Sequence, residues 1–135
     1  MPGFASGNPK PRRYVPSCVL LVDDEPMIRN AASRILARLG CQVMVAKNGA
    51  EAVSIYRASQ DIIDVVILDL GMPVMNGIEC LAILKSINPC VQVIISSGYM
   101  DDAHSEIIRE KGAAGMLPKP YDAGALASIF RCITI

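Results

Sequence analysis

The first uninterrupted apolar run is Cys18 to Val22, and it ends abruptly on Asp23-Asp24-Glu25-Pro26. A continuous run of that length and β-rich composition predicts a strand buried on both faces, as in a parallel sheet. Pro26 suits the first turn of a helix, and the acids ahead of it suit the helix dipole. Ile28, Ala31, Ala32, Ile35, Leu36 and Leu39 then recur at helical spacing until Gly40 stops them. The same alternation repeats down the chain. Val43–Ala46 reads as a second strand, and Asn48 caps the next helix with Glu51 as its capping-box partner. Ala52, Val53, Ile55 and Tyr56 supply that helix's apolar side. The run from Asp64 to Asp69 is the third strand, followed by a turn-rich loop over 71–77 and a helix from about Ile78 to Ile87. Asn88-Pro89 breaks that helix. Val91–Ile95 is the fourth strand, ending in Ser96-Ser97-Gly98, where Gly98 is expected to admit a close backbone approach. Asp101 or Asp102 caps a helix running through Lys111, and Gly115–Leu117 is a short fifth strand before Pro118-Lys119-Pro120. Asp122 starts the last helix, with Ala125, Leu126, Ile129, Phe130 and Ile133 on its apolar side.

Strict alternation of five strands and five helices implies an α/β fold, a parallel sheet with helices on both faces and right-handed crossovers. Ligands of such sheets bind beyond the carboxyl ends of the strands, at the switch in strand order. The polar residues fall there: Asp23 and Asp24 after strand one, Asp69 at the end of strand three, Ser97 after strand four and Lys119 after strand five.

Composition narrows the class. The 135 residues fit one domain, and 52% hydrophobic against 19% charged excludes a disordered chain. Thirteen basic and thirteen acidic residues argue against a dedicated nucleic-acid binder. No apolar run approaches the roughly 18 residues of a membrane span, and no signal peptide is visible. Lys10, Arg12 and Arg13 leave the rest of the chain at net −3, and residues 1–16, rich in Pro and Gly, read as a flexible arm or linker before a domain over 17–135. Five cysteines lie scattered without a CxxC pair, a poor disulfide framework and a poor zinc site. Four of the five stand in apolar surroundings and read as small buried hydrophobes of a reducing cytoplasm.

Three carboxylates converging on one cleft repel each other, and a hard cation offsets that charge. Oxygen ligands alone suit Mg²⁺. Lys119 can hold a carboxylate or a phosphoryl oxygen, Ser97 supplies a hydroxyl, and a carboxylate can act as nucleophile to form an aspartyl-phosphate. Taken singly, each residue has a plainer role as a helix cap, a turn residue or a solvated side chain. Together, in this order, they point to phosphoryl chemistry.

VLLVDDEP (19–26), VVILDLGMPVMNG (65–77), VIISSGY (93–99) and GAAGMLPKP (112–120) resemble the receiver domain of bacterial two-component response regulators. The resemblance covers about Cys18 to Ile133. It implies a flavodoxin-like sheet in strand order 2-1-3-4-5. It implies that Asp69 accepts phosphate from a histidine kinase or phosphotransfer domain. Mg²⁺ would be ligated by Asp24, Asp69 and the backbone carbonyl of Gly71, with Asp23 acting through water. Ser97 and Lys119 would contact the phosphoryl oxygens, and the Lys119–Pro120 bond would be cis. Such a domain assists its own phosphorylation and dephosphorylation and is not otherwise an enzyme. It switches the face made by helix four, strand five and helix five, where Met100, Ile107 and Ile108 are expected to contribute and a second copy could dock. Two departures stand out. Met116 occupies the place of the usual aromatic switch residue, so that Met116 or Tyr99 would have to take its part. Gly71 leaves the phosphoryl group open to water. The SSGY segment and Met116 are similar to receivers at the C-terminus of hybrid kinases, which favours a cytoplasmic domain cut from a longer protein over a free-standing one. A Mg²⁺-dependent phosphohydrolase of the haloacid-dehalogenase type is the alternative, but it needs Asp-x-Asp after strand one and a cap insertion. A flavodoxin-like cofactor binder would want a phosphate-cradling loop where the two aspartates stand.

Overall fold

The structure is a computed structural model and describes residues 15–72, 75–98 and 101–133. Five strands, β1 (Cys18–Val22), β2 (Gln42–Ala46), β3 (Val65–Asp69), β4 (Val93–Ser97) and β5 (Gly115–Pro118), alternate with α1 (Pro26–Arg38), α2 (Gly49–Ser59), α3 (Gly77–Ile87), α4 (Asp102–Glu110) and α5 (Ala123–Cys132). The strands are parallel and ordered β2-β1-β3-β4-β5, the expected flavodoxin-like arrangement.

The period-two pleat sends alternate side chains to opposite faces. Leu20, Val22, Val66, Leu68, Val93 and Ile95 face one way and pack with Ala52 and Tyr56 of α2, Leu81 and Leu84 of α3 and Ile108 of α4. Val19, Leu21, Val65, Ile67 and Ile94 face the other way, onto Ala32 and Leu36 of α1 and Leu126 and Phe130 of α5. Both β1 and β3 are buried along their whole length, which is why each reads as an unbroken apolar run.

The ends of elements hold several departures from expectation. Strand β4 starts at Val93, two residues later than expected, and includes Ser96 and Ser97. Asp64 lies outside β3 and instead accepts a hydrogen bond from Cys18 N at 3.0 Å. Helix α4 ends at Glu110 and is capped by the Asp101 side chain. Asn48 does accept from Glu51 N at 2.8 Å, but Glu51 Oε1 accepts from Lys47 N and leaves the box open. The closed box is at α3, where Asn76 and Glu79 accept reciprocally from each other's backbone N–H. Three cysteines are buried, not four: Cys90 and Cys132 are exposed. Of the arm, Val15 packs against the core and Pro16 is buried; residues 1–14 lie outside the described residues.

Candidate functional site

The strand order reverses between β1 and β3, so a crevice opens beyond their carboxyl ends. Asp23 follows β1 and Asp69 ends β3; they are 1% and 5% exposed, two of the three buried polar residues in the described chain. Oxygens of Asp23, Asp24 and Asp69 all lie within 4.8 Å of one another. Lys119 arrives from the end of β5. Its Nζ is 2.8 Å from Asp23 Oδ2, 3.2 Å from Asp69 Oδ1 and 3.9 Å from Glu25 Oε1. The Asp23 contact is the shortest of the three and pairs the buried carboxylate with the ammonium.

The backbone places these groups. Asp23 N donates to Ala46 O across the β1–β2 ladder at 3.1 Å. Glu25 N donates to Asp23 Oδ1 at 2.9 Å, and Arg29 Nη1 reaches back from α1 to donate to the Asp23 carbonyl at 2.8 Å. Gly71 N donates to Asp69 Oδ1 at 3.3 Å. Lys119 N donates to the Ser97 carbonyl at 2.8 Å, which ties the lysine's backbone to the end of β4. The Lys119–Pro120 peptide is cis.

Electrostatics follow from burial and pairing. Burial raises the Asp69 carboxyl; Lys119 opposes that shift, Asp23 adds to it, and the net direction is up. Burial pulls the Lys119 ammonium down, but Asp23 and Asp69 outweigh it and leave it raised. Lys119 is therefore a firm cation among acids, and Asp69 is a carboxylate whose charge is poorly compensated. A hard divalent cation would supply the missing charge. The donor set is all oxygen and suits Mg²⁺.

Glycines shape the loops differently from one another. A Cβ at Gly77 would lie 2.7 Å from both the Asp69 carbonyl oxygen and Leu70 Cα, so the start of α3 is pressed against the end of β3. Among the described residues, a Cβ at Gly71 meets nothing within 4 Å. The same holds at Gly98.

The structure thus brings together Asp23, Asp24, Asp69 and Lys119, with Gly71 and Ser97 bonded to them through the backbone. Met116 is half-buried against the core on the α2–α4 side of the sheet. Tyr99 and Met100 lie outside the described residues. Ile108 is 1% exposed and belongs to the core, so of the two α4 isoleucines only Ile107 is on the surface. Sequence reasoning missed Arg29, Gly77 and Tyr121. A cation in the first turns of a helix runs against its dipole, and that was the available sign for Arg29. For Tyr121 the sign was an aromatic ring with a polar tip directly after Lys119-Pro120.

The response regulator receiver domain model matches residues 19–131. The chain belongs to the response regulator receiver domain family. This receiver is 36% identical over 110 residues to the sensor kinase CckA of Brucella abortus, covering 82% of the chain and 12% of the relative. It is 33% identical over 117 residues to the transcriptional regulator NtrC of Escherichia coli, covering 86% and 24%. Among solved structures, a receiver domain from Clostridium thermocellum superposes with a TM-score of 0.80 at 32% identity, covering 84% of this chain and 90% of that one. CheY in the CheX–CheY–BeF3–Mg complex of Borrelia burgdorferi does so with 0.81 at 30% identity, covering 85% and 87%. The receiver spans an eighth to a quarter of the length of these two curated relatives. No helix among the described residues is long and apolar enough to cross a membrane.

Proposed function

We propose that this receiver is the phosphoacceptor of a cytoplasmic phosphorelay, with Asp69 as the residue that takes the phosphoryl group from a phosphohistidine on a kinase or phosphotransfer domain. The observation that carries this reading is Asp69 Oδ1, buried at a sheet-end crevice and 3.2 Å from a lysine ammonium. An Asp69 oxygen attacks phosphorus, the P–N bond to the donor imidazole breaks, and its electron pair leaves with the ring nitrogen. Asp24, Asp69, the Gly71 carbonyl and, through water, Asp23 would hold Mg²⁺. When bound, Mg²⁺ neutralises charge on the transferring group. Lys119 moves its ammonium from the carboxylates to a phosphoryl oxygen, and Ser97 donates its hydroxyl to another. Because Lys119 N is held by the Ser97 carbonyl, movement at either is felt by the other. That coupling reaches β5 and its neighbours α4 and α5, the face on which a second copy or an output partner docks. Met116 or Tyr99 takes the part of the aromatic switch.

The test is incubation with acetyl phosphate and Mg²⁺, read by intact mass. The wild type gains one phosphoryl group and Asp69→Asn gains none. An adduct of undiminished yield in the variant would overturn the assignment.

A further inference from the structure

Two of the three crevice acids are held through their carboxylates, and the third is not. Asp69 meets Lys119 Nζ and Gly71 N, and Asp23 meets Lys119 Nζ and Glu25 N. Asp24 is half-buried, and among the described residues its carboxylate has no hydrogen bond or ion pair. An oxygen of Asp24 nevertheless lies within 4.8 Å of oxygens of Asp23 and Asp69. Its place is set by the backbone, so whatever fixes the chain at 23–24 fixes the third acid.

Arg29 grips the chain at that point. Its Nη1 donates to the Asp23 carbonyl oxygen at 2.8 Å. That carbonyl and the Asp24 N–Cα bond lie in one peptide plane, so holding the oxygen sets the direction in which Asp24 leaves β1. The surrounding bonds close on the same plane. Asp23 N donates to Ala46 O, Glu25 N donates to Asp23 Oδ1, and Arg29 N donates to Glu25 O at 2.9 Å as α1 begins. Helix α1 gives up its own stabilisation to make this contact. It has no acid in its first turn and no side-chain cap, whereas an Asn or Asp side chain caps each of the other four helices. A cation near a helix N-terminus also opposes the dipole.

We propose that Arg29 is a positioning residue for the Asp24 carboxylate, acting through the Asp23–Asp24 peptide, and that it thereby sets the affinity of the crevice for Mg²⁺. The proposal rests on the reading of the crevice as a Mg²⁺ site. Its sign is opposite to that of charge alone. A guanidinium beside a cation site repels the cation, so removing a residue that acted only by charge would tighten Mg²⁺ binding. Removing a positioning residue weakens it.

The experiment is Mg²⁺ binding by titration calorimetry on the full chain, for wild type, Arg29→Met and Arg29→Lys. No phosphodonor is present, so the outcome is separable from that of the Asp69 assignment. Methionine keeps an unbranched stem and a similar helix propensity but lacks the donor and the charge. Kd is expected to rise about tenfold in Arg29→Met, as for loss of a group that orients a metal ligand. It is expected to stay within about threefold of wild type in Arg29→Lys, which keeps the charge and a donor. Tm in EDTA separates positioning from folding, and both variants are expected within about 4 °C of wild type. Mg²⁺ binding by Arg29→Met as tight as wild type, or tighter, overturns the proposal. So does an equal loss in Arg29→Lys, or a fall in Tm well beyond that range. A wild type that takes up no Mg²⁺ overturns both the metal site and the role of Arg29, while leaving phosphorylation of Asp69 to its own test.

Discussion

Gly77→Ala is a substitution whose sign two effects contest. Alanine is the better residue in a helix by about 1 kcal/mol, and Gly77 is the first residue of α3. Its φ lies outside the left-handed region, so backbone strain does not decide the outcome. The new methyl, however, would sit 2.7 Å from the Asp69 carbonyl oxygen and 2.7 Å from Leu70 Cα. Those distances are well inside van der Waals contact, and both neighbours are backbone atoms at the end of a fully buried strand, with no side chain to swing aside. Overpacking against a rigid wall costs about 1–3 kcal/mol, and two backbone contacts place this case at the upper end. Net of helix propensity, a loss of about 1–2 kcal/mol remains. At about 2.1 cal/mol/K per residue, a chain of 135 residues moves by about 3–4 °C per kcal/mol. Tm should therefore fall by roughly 4–7 °C in thermal denaturation followed by circular dichroism. Two other glycines calibrate the result. Gly49→Ala meets the side chain of Met75, which can rotate, and should cost less than Gly77→Ala. Gly71→Ala meets nothing within 4 Å among the described residues and should stay within about 0.5 kcal/mol of wild type. If Gly77→Ala melts at or above the wild-type temperature, the close apposition of α3 and β3 is not what requires glycine there.

Without Mg²⁺, Asp69→Asn should be more stable than wild type at pH 7. The folded-state carboxyl is raised above its ordinary 3.8, so the native state binds the extra proton and stability falls as pH climbs through that window. The gap measured by urea denaturation should close as pH drops toward 3.8, and a gap that widens there would refute the sign. Mg²⁺ at a hundred times its Kd should stabilise the wild type by about 2.7 kcal/mol, or roughly 8–10 °C, and Asp24→Asn should lose more than half of that shift. Gly71→Asn should lengthen the phosphoryl lifetime measured by mass after donor removal, since a side chain would fill space that is now open. An unchanged or shorter lifetime would remove position 71 from the control of hydrolysis.

The central strands were the easiest features to read from the sequence, because β1 and β3 are covered on both sides and tolerate nothing polar before Asp23 and Asp69. Strand β2 lies at the sheet edge with an exposed and half-buried pattern, yet the short apolar run Val43–Ala46 still placed it to within a residue. The start of β4 was misread because Val91 is apolar and buried without pairing in the ladder. The approach of four distant segments to one crevice was inferable from strand ends alone, since the parallel topology brings carboxyl ends to one edge. What stayed hidden were contacts decided by three-dimensional shape. Nothing in the sequence shows that Arg29 turns back to the Asp23 carbonyl, that Gly77 has no room for a methyl group, or that the Tyr121 hydroxyl is covered. Ile108 looked like a surface residue of α4 beside Ile107, and only the seating of that helix on the sheet tells them apart.

The crevice draws on two mechanically unequal parts of the sheet. Asp23 and Asp69 stand on β1 and β3, each flanked by a hydrogen-bonded strand on both sides, whereas Lys119 arrives on β5, which has a neighbour on one side only. Fraying starts where backbone pairing is one-sided, so the amides of β5 should exchange with deuterium well before those beneath the acids. A transient opening of that margin withdraws the cation and leaves the anions fixed in place. The molecule can therefore loosen its grip on an anionic guest without disturbing the floor on which that guest was received.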